Sequence, residues 1–334
     1  NPENVGHGYD IEGDGTWRPS DGPPDADSLT WHFTAENVHN FAWSADPDYI
    51  HDKVEQNGTT HHILYKPEVA EQWTPLKQDM PSLTSFFSEE YGDYPYPQMT
   101  VAQGGDGGME YPMFTVVTSY NRPTFDEKAG YRSVLGTTVH EFAHMWYYAA
   151  LGSNEADYAW MDEGFTSYAT SEGMAHLTGG TAGHSPLSIV RLQKMGLFEP
   201  LDTPADWYET NLGYGVASYP GGELYVDLLG YVTGEENRDG WLKRYFRERT
   251  FQHPDPNDLE LFAEQESGLI LDWYFYQFTE STRQLDDEID DLETTRIGQG
   301  YEASFTLERE GTIRMPHDVK LTLEDGSTQW VNVP

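Results

Sequence analysis

The spacing of apolar and polar residues predicts a chain that mixes helices and strands. Short apolar or alternating runs predict strands at residues 29–49, 62–65, 99–103 and 109–118. A helical period predicts helices at residues 67–91, 131–149, 160–175, 225–231, 240–248, 258–266 and 271–278. From Gly300 onward the period changes to two, which predicts a small strand-rich end. The pattern as a whole indicates the α+β class.

Length and composition fit a globular chain with a buried core. The 334 residues are enough for two or three packed units, and 37% of them are hydrophobic. Since no run of 18 apolar residues occurs, the sequence predicts no membrane span.

The charge is strongly one-sided, because 57 acidic residues face 19 basic ones and the formal net charge is −38. Such self-repulsion destabilises a compact chain at low salt, whereas near 1 M salt it is screened within about 3 Å. We therefore expect a halophilic protein. The alternatives are an acidic surface that keeps an exported protein soluble and a docking surface for basic partners. Nucleic acid is excluded as a partner, because its phosphates would be repelled.

Cysteine is absent, which excludes disulfides, a thiol nucleophile and thiolate metal ligands. Residue 1 is Asn and no leader pattern follows, so we expect that a leader or an upstream domain has been removed. Localisation stays open, with export favoured over the cytoplasm of a salt-accumulating cell.

Residues 140–144 read His-Glu-Phe-Ala-His inside the predicted helix at residues 131–149. A spacing of four puts His140 and His144 on one helix face, so both imidazoles can reach one zinc ion. Glu141 then lies beside the water that such an ion carries, where it can act as general base. This five-residue pattern also arises by chance, so further ligands decide its meaning.

A zinc hydrolase takes three protein ligands and keeps the fourth position for water. Glu163 fits the third place, because it follows in the segment WMDEGF on a second predicted helix that can pack against the first. The sequence therefore predicts one zinc ion held by His140, His144 and Glu163. Asn154 and Asp162 are both candidates to orient a histidine ligand, and the sequence does not choose between them.

These segments resemble the aminopeptidase N family of zinc metallopeptidases, which are gluzincins. The resemblance rests on HEFAHMW, on WMDEGF and on the upstream GGMEYPM, with weaker matches over residues 30–285. It implies a thermolysin-like catalytic domain followed by a helical region. It also implies an aminopeptidase that releases amino-terminal residues from peptides by metal-activated attack of water.

The upstream segment GGMEYPM is similar to the family's Gly-x-Met-Glu-Asn motif. The resemblance implies that Glu110 binds the free amino group of a peptide, with Gly107, Gly108 and Met109 in the same substrate site. A carboxylate at a fixed distance from the metal pairs with an ammonium group, so that only a chain end is cleaved. Tyr111 stands where the family more commonly has Asn, which puts backbone recognition beside Glu110 in doubt.

The family also uses a tyrosine hydroxyl to stabilise the oxyanion. Tyr219, before Pro220 and two glycines, is the nearest match, and Tyr214 is the reserve candidate. Pro220 departs from the family's pattern and biases Tyr219 away from helical geometry. The remaining histidines lack ligand spacing and are predicted to pack or to lie on the surface, among them His61, His62, His176, His184 and His253.

The resemblance implies four parts. Residues 1–47 comprise an irregular arm and the terminal strands of an upstream β-sandwich, and residues 48–187 form a thermolysin-like lobe with the zinc site. Residues 188–285 form a helical lobe, and residues 286–334 begin a C-terminal β domain. We expect peptides with a free amino terminus as partners, and the oligomeric state stays open.

Two other functions remain possible on the sequence alone. A zinc endopeptidase of the thermolysin type shares the helix motif but has no use for Glu110 as an amine anchor. A non-catalytic interaction module could keep the fold, although all four residues of the predicted metal site and its base are intact.

Overall fold

A computed structural model describes residues 9–11, 17–19, 33, 35–105, 107–118 and 127–333. These residues form a mixed α+β structure, which confirms the predicted class. Within the described ranges, no helix is both long and apolar enough to cross a membrane.

Most strands of the first half belong to one five-stranded sheet. The strands are β1 (Tyr9–Ile11), β2 (Trp17–Pro19), β3 (Ile50–Gln56), β4 (Thr59–Tyr65), β5 (Gln98–Gln103), β6 (Gly108–Tyr111), β7 (Phe114–Val117), β8 (Asp287–Ile297), β9 (Gly300–Arg309), β10 (His317–Thr322) and β11 (Thr328–Val333). The sheet has the order β3-β4-β5-β7-β6, in which β4, β5 and β7 are parallel and both edge strands are antiparallel to their neighbours. The edge strand β6 therefore runs along one rim of the sheet.

Helices supply the remaining framework. They are α1 (Ala70–Trp73), α2 (Leu76–Glu90), α3 (Glu127–His144), α4 (Ala159–Thr178), α5 (Leu187–Met195), α6 (Asn211–Val216), α7 (Gly222–Thr233), α8 (Glu235–Arg249), α9 (Pro256–Ser267) and α10 (Asp272–Thr279). Short 3-10 turns cover Pro67–Val69 and Ala205–Trp207, and π-helical turns cover Met145–Ala150 and Ala217–Gly221. Helix α4 lies at the centre, in contact with α2, α3, α7 and the second π-helical turn.

One hydrophobic core joins the sheet to the helices. Its largest members are aromatic, and Trp73, Trp146, Trp160 and Trp241 are all fully buried. Residues 145–150, directly after the HEFAH segment, are likewise all buried. Because closely packed interiors hold side chains in fixed rotamers, this burial holds the helix that carries the motif in place.

The structure corrects two details of the strand prediction. Residues 109–118 form the hairpin β6–β7 rather than one strand, because the chain reverses at Met113, which adopts a φ of 63°. Residues 35–49 contain no strand, and the turn at Pro47 and Asp48 interrupts this polar segment. Residues 29–32 and 34, where the same strands were expected, lie outside the described residues.

The last part of the chain forms two separate hairpins, β8–β9 and β10–β11. Strand β8 was not predicted, because its segment DEIDDLETTRI is rich in Asp and Glu, which are uncommon in strands. Most side chains of β8 and β9 are exposed.

Candidate metal centre

Two adjacent helices bring the three predicted ligands to one point. His140 and His144 lie in the last turns of α3, and Glu163 lies in the second turn of α4. The Nε2 atom of His140 is 3.3 Å from Nε2 of His144, and Oε2 of Glu163 is 3.1 Å from the first and 3.4 Å from the second. The three potential donor atoms therefore form a nearly equilateral triangle.

This triangle fits a tetrahedral zinc ion. With metal–ligand distances of about 2.0 to 2.1 Å, neighbouring ligand atoms of a tetrahedron lie about 3.3 Å apart. The observed separations of 3.1 to 3.4 Å bracket that value. Two imidazoles and one carboxylate are also a donor set that zinc accepts in hydrolases, where the fourth position is left for water.

The second nitrogen of each imidazole is held by a different kind of partner. The Nδ1 atom of His144 lies 2.6 Å from Oδ1 of Asp162 and 3.1 Å from the hydroxyl of Thr166. The Nδ1 atom of His140 lies 3.2 Å from the hydroxyl of Thr170. Such outer partners fix ring orientation and leave Nε2 facing the metal position. Asp162 is thus the orienting residue, whereas Asn154 bonds Asp157 instead.

The electrostatics of the site suit a cation. Burial lowers the pKa of His140, which keeps that imidazole neutral as a metal ligand must be. Burial also opposes a charge on His144, but the carboxylates of Asp162 and Glu163 outweigh it and raise the pKa of His144 well above its ordinary value. A metal ion that binds here must therefore displace a proton from His144.

Glu141 is the most isolated acid of the site. Its side chain is 4% exposed, and its Oε2 atom has no hydrogen-bond partner among the described residues. Burial, reinforced by the neighbouring acids and only partly offset by His144, raises the pKa of Glu141 to about 8. A carboxyl group whose pKa lies near neutral pH, within reach of the predicted ligands, is suited to proton transfer.

Strand β6 packs directly against this carboxylate. A Cβ atom on Gly108 would overlap Oε1 of Glu141 and lie 2.9 Å from its carboxyl carbon. Glycine at this position therefore lets the strand approach the base, which is a packing reason for the first part of the GGMEYPM segment.

We expect Gly108→Ala to lower kcat by about 100-fold, because the added methyl group displaces Glu141 and misplacing a reacting group by about 1 Å has costs of this size. The matched control is Gly105→Ala, where a Cβ meets nothing within 4 Å. Steady-state kinetics with metal analysis of both variants checks this, and equal kcat values for the two variants would contradict it.

Glu110 lies on the same strand, beside Glu141 and His144. Its Oε2 atom is 3.9 Å from Nε2 of His144, and its carboxylate, that of Glu141 and the His144 ring have atoms within 4.8 Å of one another. Met109 and Glu110 pair with Val116 and Thr115 of β7, which fixes the register of the strand. Gly107 precedes the strand and is exposed.

Tyr219 contacts the third predicted ligand, whereas Tyr214 packs edge-on against Tyr208. The hydroxyl of Tyr219 donates to Oε1 of Glu163 at 2.6 Å, and its ring stacks on His140. Burial and then the Glu163 carboxylate raise the pKa of Tyr219 far above its ordinary value, so the hydroxyl stays a donor. The expectation that Pro220 removes Tyr219 from helical geometry is wrong, since both lie in the π-helical turn Ala217–Gly221.

The sequence analysis missed the two threonines and His184. Thr166 and Thr170 lie three and seven residues after Glu163 on the same helix, so helical spacing alone could have indicated them. His184 was expected to pack or to lie on the surface, but its partners come from two helices that are distant in sequence. His61 and His62 are buried in β4, as expected of packing residues.

Residues 76–278 match the peptidase family M1 domain, and the match covers more than half of the chain. The chain therefore belongs to the M1 peptidase family, which confirms the resemblance to aminopeptidase N and its relatives.

Similarity to individual proteins is moderate. The chain is 26% identical over 211 residues to aminopeptidase B of Homo sapiens, covering 57% of this chain and 28% of that protein. It is 26% identical over 204 residues to aminopeptidase N of Streptomyces lividans, covering 56% and 23%. The chain thus spans about a quarter of the length of these relatives.

The fold is similar to that of an M1 zinc metallopeptidase from Deinococcus radiodurans, in the crystal structure of a variant bound to a Tyr-Ser-Ala substrate. The TM-score is 0.52 at 17% identity, covering 69% of this chain and 51% of that one. At this identity the likeness concerns the fold alone.

Proposed function

We propose that the chain is the catalytic part of a zinc-dependent aminopeptidase, with one zinc ion bound by His140, His144 and Glu163. The observation that carries the proposal is the triangle of donor atoms, 3.1 to 3.4 Å on each side, next to the buried carboxylate of Glu141. Membership in the M1 family supports it.

The residues around the metal position divide the chemistry among them. When bound, zinc lowers the pKa of its water toward about 7 and polarises a peptide carbonyl. Glu141 takes the proton of the attacking water and later gives it to the leaving amine. The hydroxyl of Tyr219 donates a hydrogen bond to the developing oxyanion instead of to Glu163.

Glu110 makes the site an exopeptidase site. Atoms of its carboxylate, of the Glu141 carboxylate and of the His144 ring lie within 4.8 Å of one another, so Glu110 can pair with the ammonium group of a peptide that reaches the metal position. A peptide anchored there presents only its first carbonyl to the water. Gly107, Gly108 and Met109 line the approach, and peptides with a free amino terminus are the substrates.

Acetylation of the peptide's amino terminus tests this assignment. Free peptides are expected to exceed their acetylated forms in kcat/KM by about 10- to 100-fold, the equivalent of one charge-assisted pair. In Glu110→Gln this difference disappears while zinc stays bound. Equal cleavage of both peptides by the unmodified protein would favour a thermolysin-type endopeptidase and end the exopeptidase assignment.

We also propose the division of the chain that the family implies. Residues 48–187 are the thermolysin-like lobe and residues 188–285 the helical lobe, which is consistent with the sheet and helices of the described residues. Residues 286–334 form a separate strand-rich part, supported by the two terminal hairpins.

A further inference from the structure

His184 lies in a cage of carboxylates outside the candidate metal centre. Its side chain is 8% exposed, and its Nδ1 atom is 2.8 Å from Oε1 of Glu223. Its Nε2 atom is 3.7 Å from Oε1 of Glu172 and 3.9 Å from Oδ1 of Asp227. Its ring stacks on Tyr168 with centroids 4.9 Å apart. The cage therefore joins α4, which carries Tyr168 and Glu172, to α7, which carries the other two acids.

The imidazole carries a charge at neutral pH. Burial opposes that charge, but the hydrogen bond to Glu223 and the nearby carboxylates of Glu172 and Asp227 outweigh burial and raise the pKa of His184 to about 9. The positive charge of Arg238 on α8 also acts on the cage, because it lowers the pKa values of Asp227 and Tyr168 against the effect of burial. If His184 becomes neutral, the three surrounding carboxylates lose the cation with which they pair.

The acid closest to His184 stands directly after the turn that carries Tyr219. Glu223 is in the first turn of α7, and the π-helical turn Ala217–Gly221 precedes that helix. The same Oε1 atom of Glu223 accepts a hydrogen bond of 2.6 Å from the hydroxyl of Ser171 on α4. The start of α7 is thus tied to α4 through one carboxylate with two donors.

A glycine contact brings the two helices close at the other end of this junction. A Cβ on Gly164 would lie 2.5 Å from Cα of Gly222, so the backbones touch there. Gly164 is next to Glu163, and Tyr219 donates to Glu163 at 2.6 Å. Any shift of the first turn of α7 along α4 therefore moves the Tyr219 hydroxyl relative to Glu163.

We propose that His184 is a positioning residue for Tyr219, because its ion pair with Glu223 holds the first turn of α7 against α4. The catalytic consequence rests on the proposed function, in which Tyr219 stabilises the oxyanion. Among the described residues, the contacts of His184 include neither a predicted metal ligand nor a residue of the proposed substrate site.

His184→Gln tests the proposal, with His176→Gln as the matched control. His176 lies on α4 and, like His184, stacks on an aromatic ring, that of Phe86, but its contacts do not join α4 to α7. We expect His184→Gln to lower kcat about 10-fold, less than the loss of an oxyanion donor, with KM and bound zinc unchanged. Unchanged kcat in His184→Gln would overturn the proposal.

A double-mutant comparison shows whether the effect passes through Tyr219. In a Tyr219→Phe background, His184→Gln is expected to cost no further activity, because the hydroxyl that it positions is already gone. An equal loss in both backgrounds contradicts the proposal. The pH profile gives a second readout, since the ion pair is complete below about pH 6.5 and is lost as pH rises through about 9. The unmodified protein should lose activity there, whereas His184→Gln should lose less.

A crystal structure of the variant separates this proposal from the proposed function. We expect the Tyr219 hydroxyl to leave its 2.6 Å contact with Glu163 in His184→Gln, whether or not the chain cleaves peptides. An unchanged contact overturns the positioning role while leaving the aminopeptidase assignment intact. If His184→Gln does not fold, Glu223→Gln keeps the side-chain size, removes the paired charge and gives the same two outcomes.

Discussion

Glu141→Gln is expected to lower kcat by about 1,000-fold while the chain still binds one zinc ion, because the variant keeps the three predicted ligands and loses only the proton acceptor. Oε2 of Glu141 has no hydrogen-bond partner among the described residues, so an amide nitrogen in its place costs no hydrogen bond of that atom. Gln also fits the same space beside Gly108. Initial rates with an aminoacyl chromogenic substrate, together with metal analysis, measure both quantities.

The matched control for this prediction is Glu89→Gln, an exposed acid in the last turn of α2. It makes the same chemical change far from the ligand cluster and should leave kcat within about twofold, as is usual for surface substitutions. Near-normal turnover in Glu141→Gln would remove Glu141 from the role of general base. Loss of metal in that variant would instead show that Glu141 contributes to binding.

Replacing a predicted ligand should lower zinc binding and activity together, whereas Glu141→Gln should lower activity alone. Replacing His140 or Glu163 by Ala leaves two of three donor atoms, so we expect zinc affinity to fall by more than about 100-fold, the upper end of what loss of an outer partner costs. Activity is lost with the metal. Competition with a chelator of known affinity measures the change, and His176→Gln should keep the affinity of the unmodified protein. Unchanged zinc binding in Glu163→Ala would exclude Glu163 as a ligand.

Much of the candidate site could be predicted because its residues are local in sequence. His140 and His144 are one helical turn apart, and Glu163 follows on the next helix, so periodicity alone places them near each other. The family resemblance then added Glu110 and Tyr219. The structure brings the three predicted ligands, Glu141 and these two residues close together.

Other features depend on contacts that spacing does not encode. The contact between Tyr219 and Glu163 depends on a π-helical turn, which the residues around Pro220 did not indicate. The role of Gly108 is set by its approach to Glu141, across 33 positions of sequence. The reversal at Met113 was missed because the mostly apolar segment at residues 109–118 reads as one strand.

The sequence predicted the family and the mixed α+β class correctly. It did not predict the structure of residues 35–49 or strand β8. The predicted strands of residues 29–49 relied on scattered aromatic residues, of which Phe41 and Trp43 are largely exposed in an irregular segment. Exposed aromatic residues carry no periodic signal of a buried face. Strand β8 was missed for a different reason, because its many acidic residues obscure the alternation of apolar and polar positions.

The central claim is that three side chains share one metal ion, and anomalous scattering at the zinc edge from crystals of the zinc-loaded protein tests it directly. The account predicts a single strong peak within bonding distance of His140 Nε2, His144 Nε2 and a Glu163 oxygen. A map without a peak between these atoms, from protein that retains peptidase activity, would contradict it.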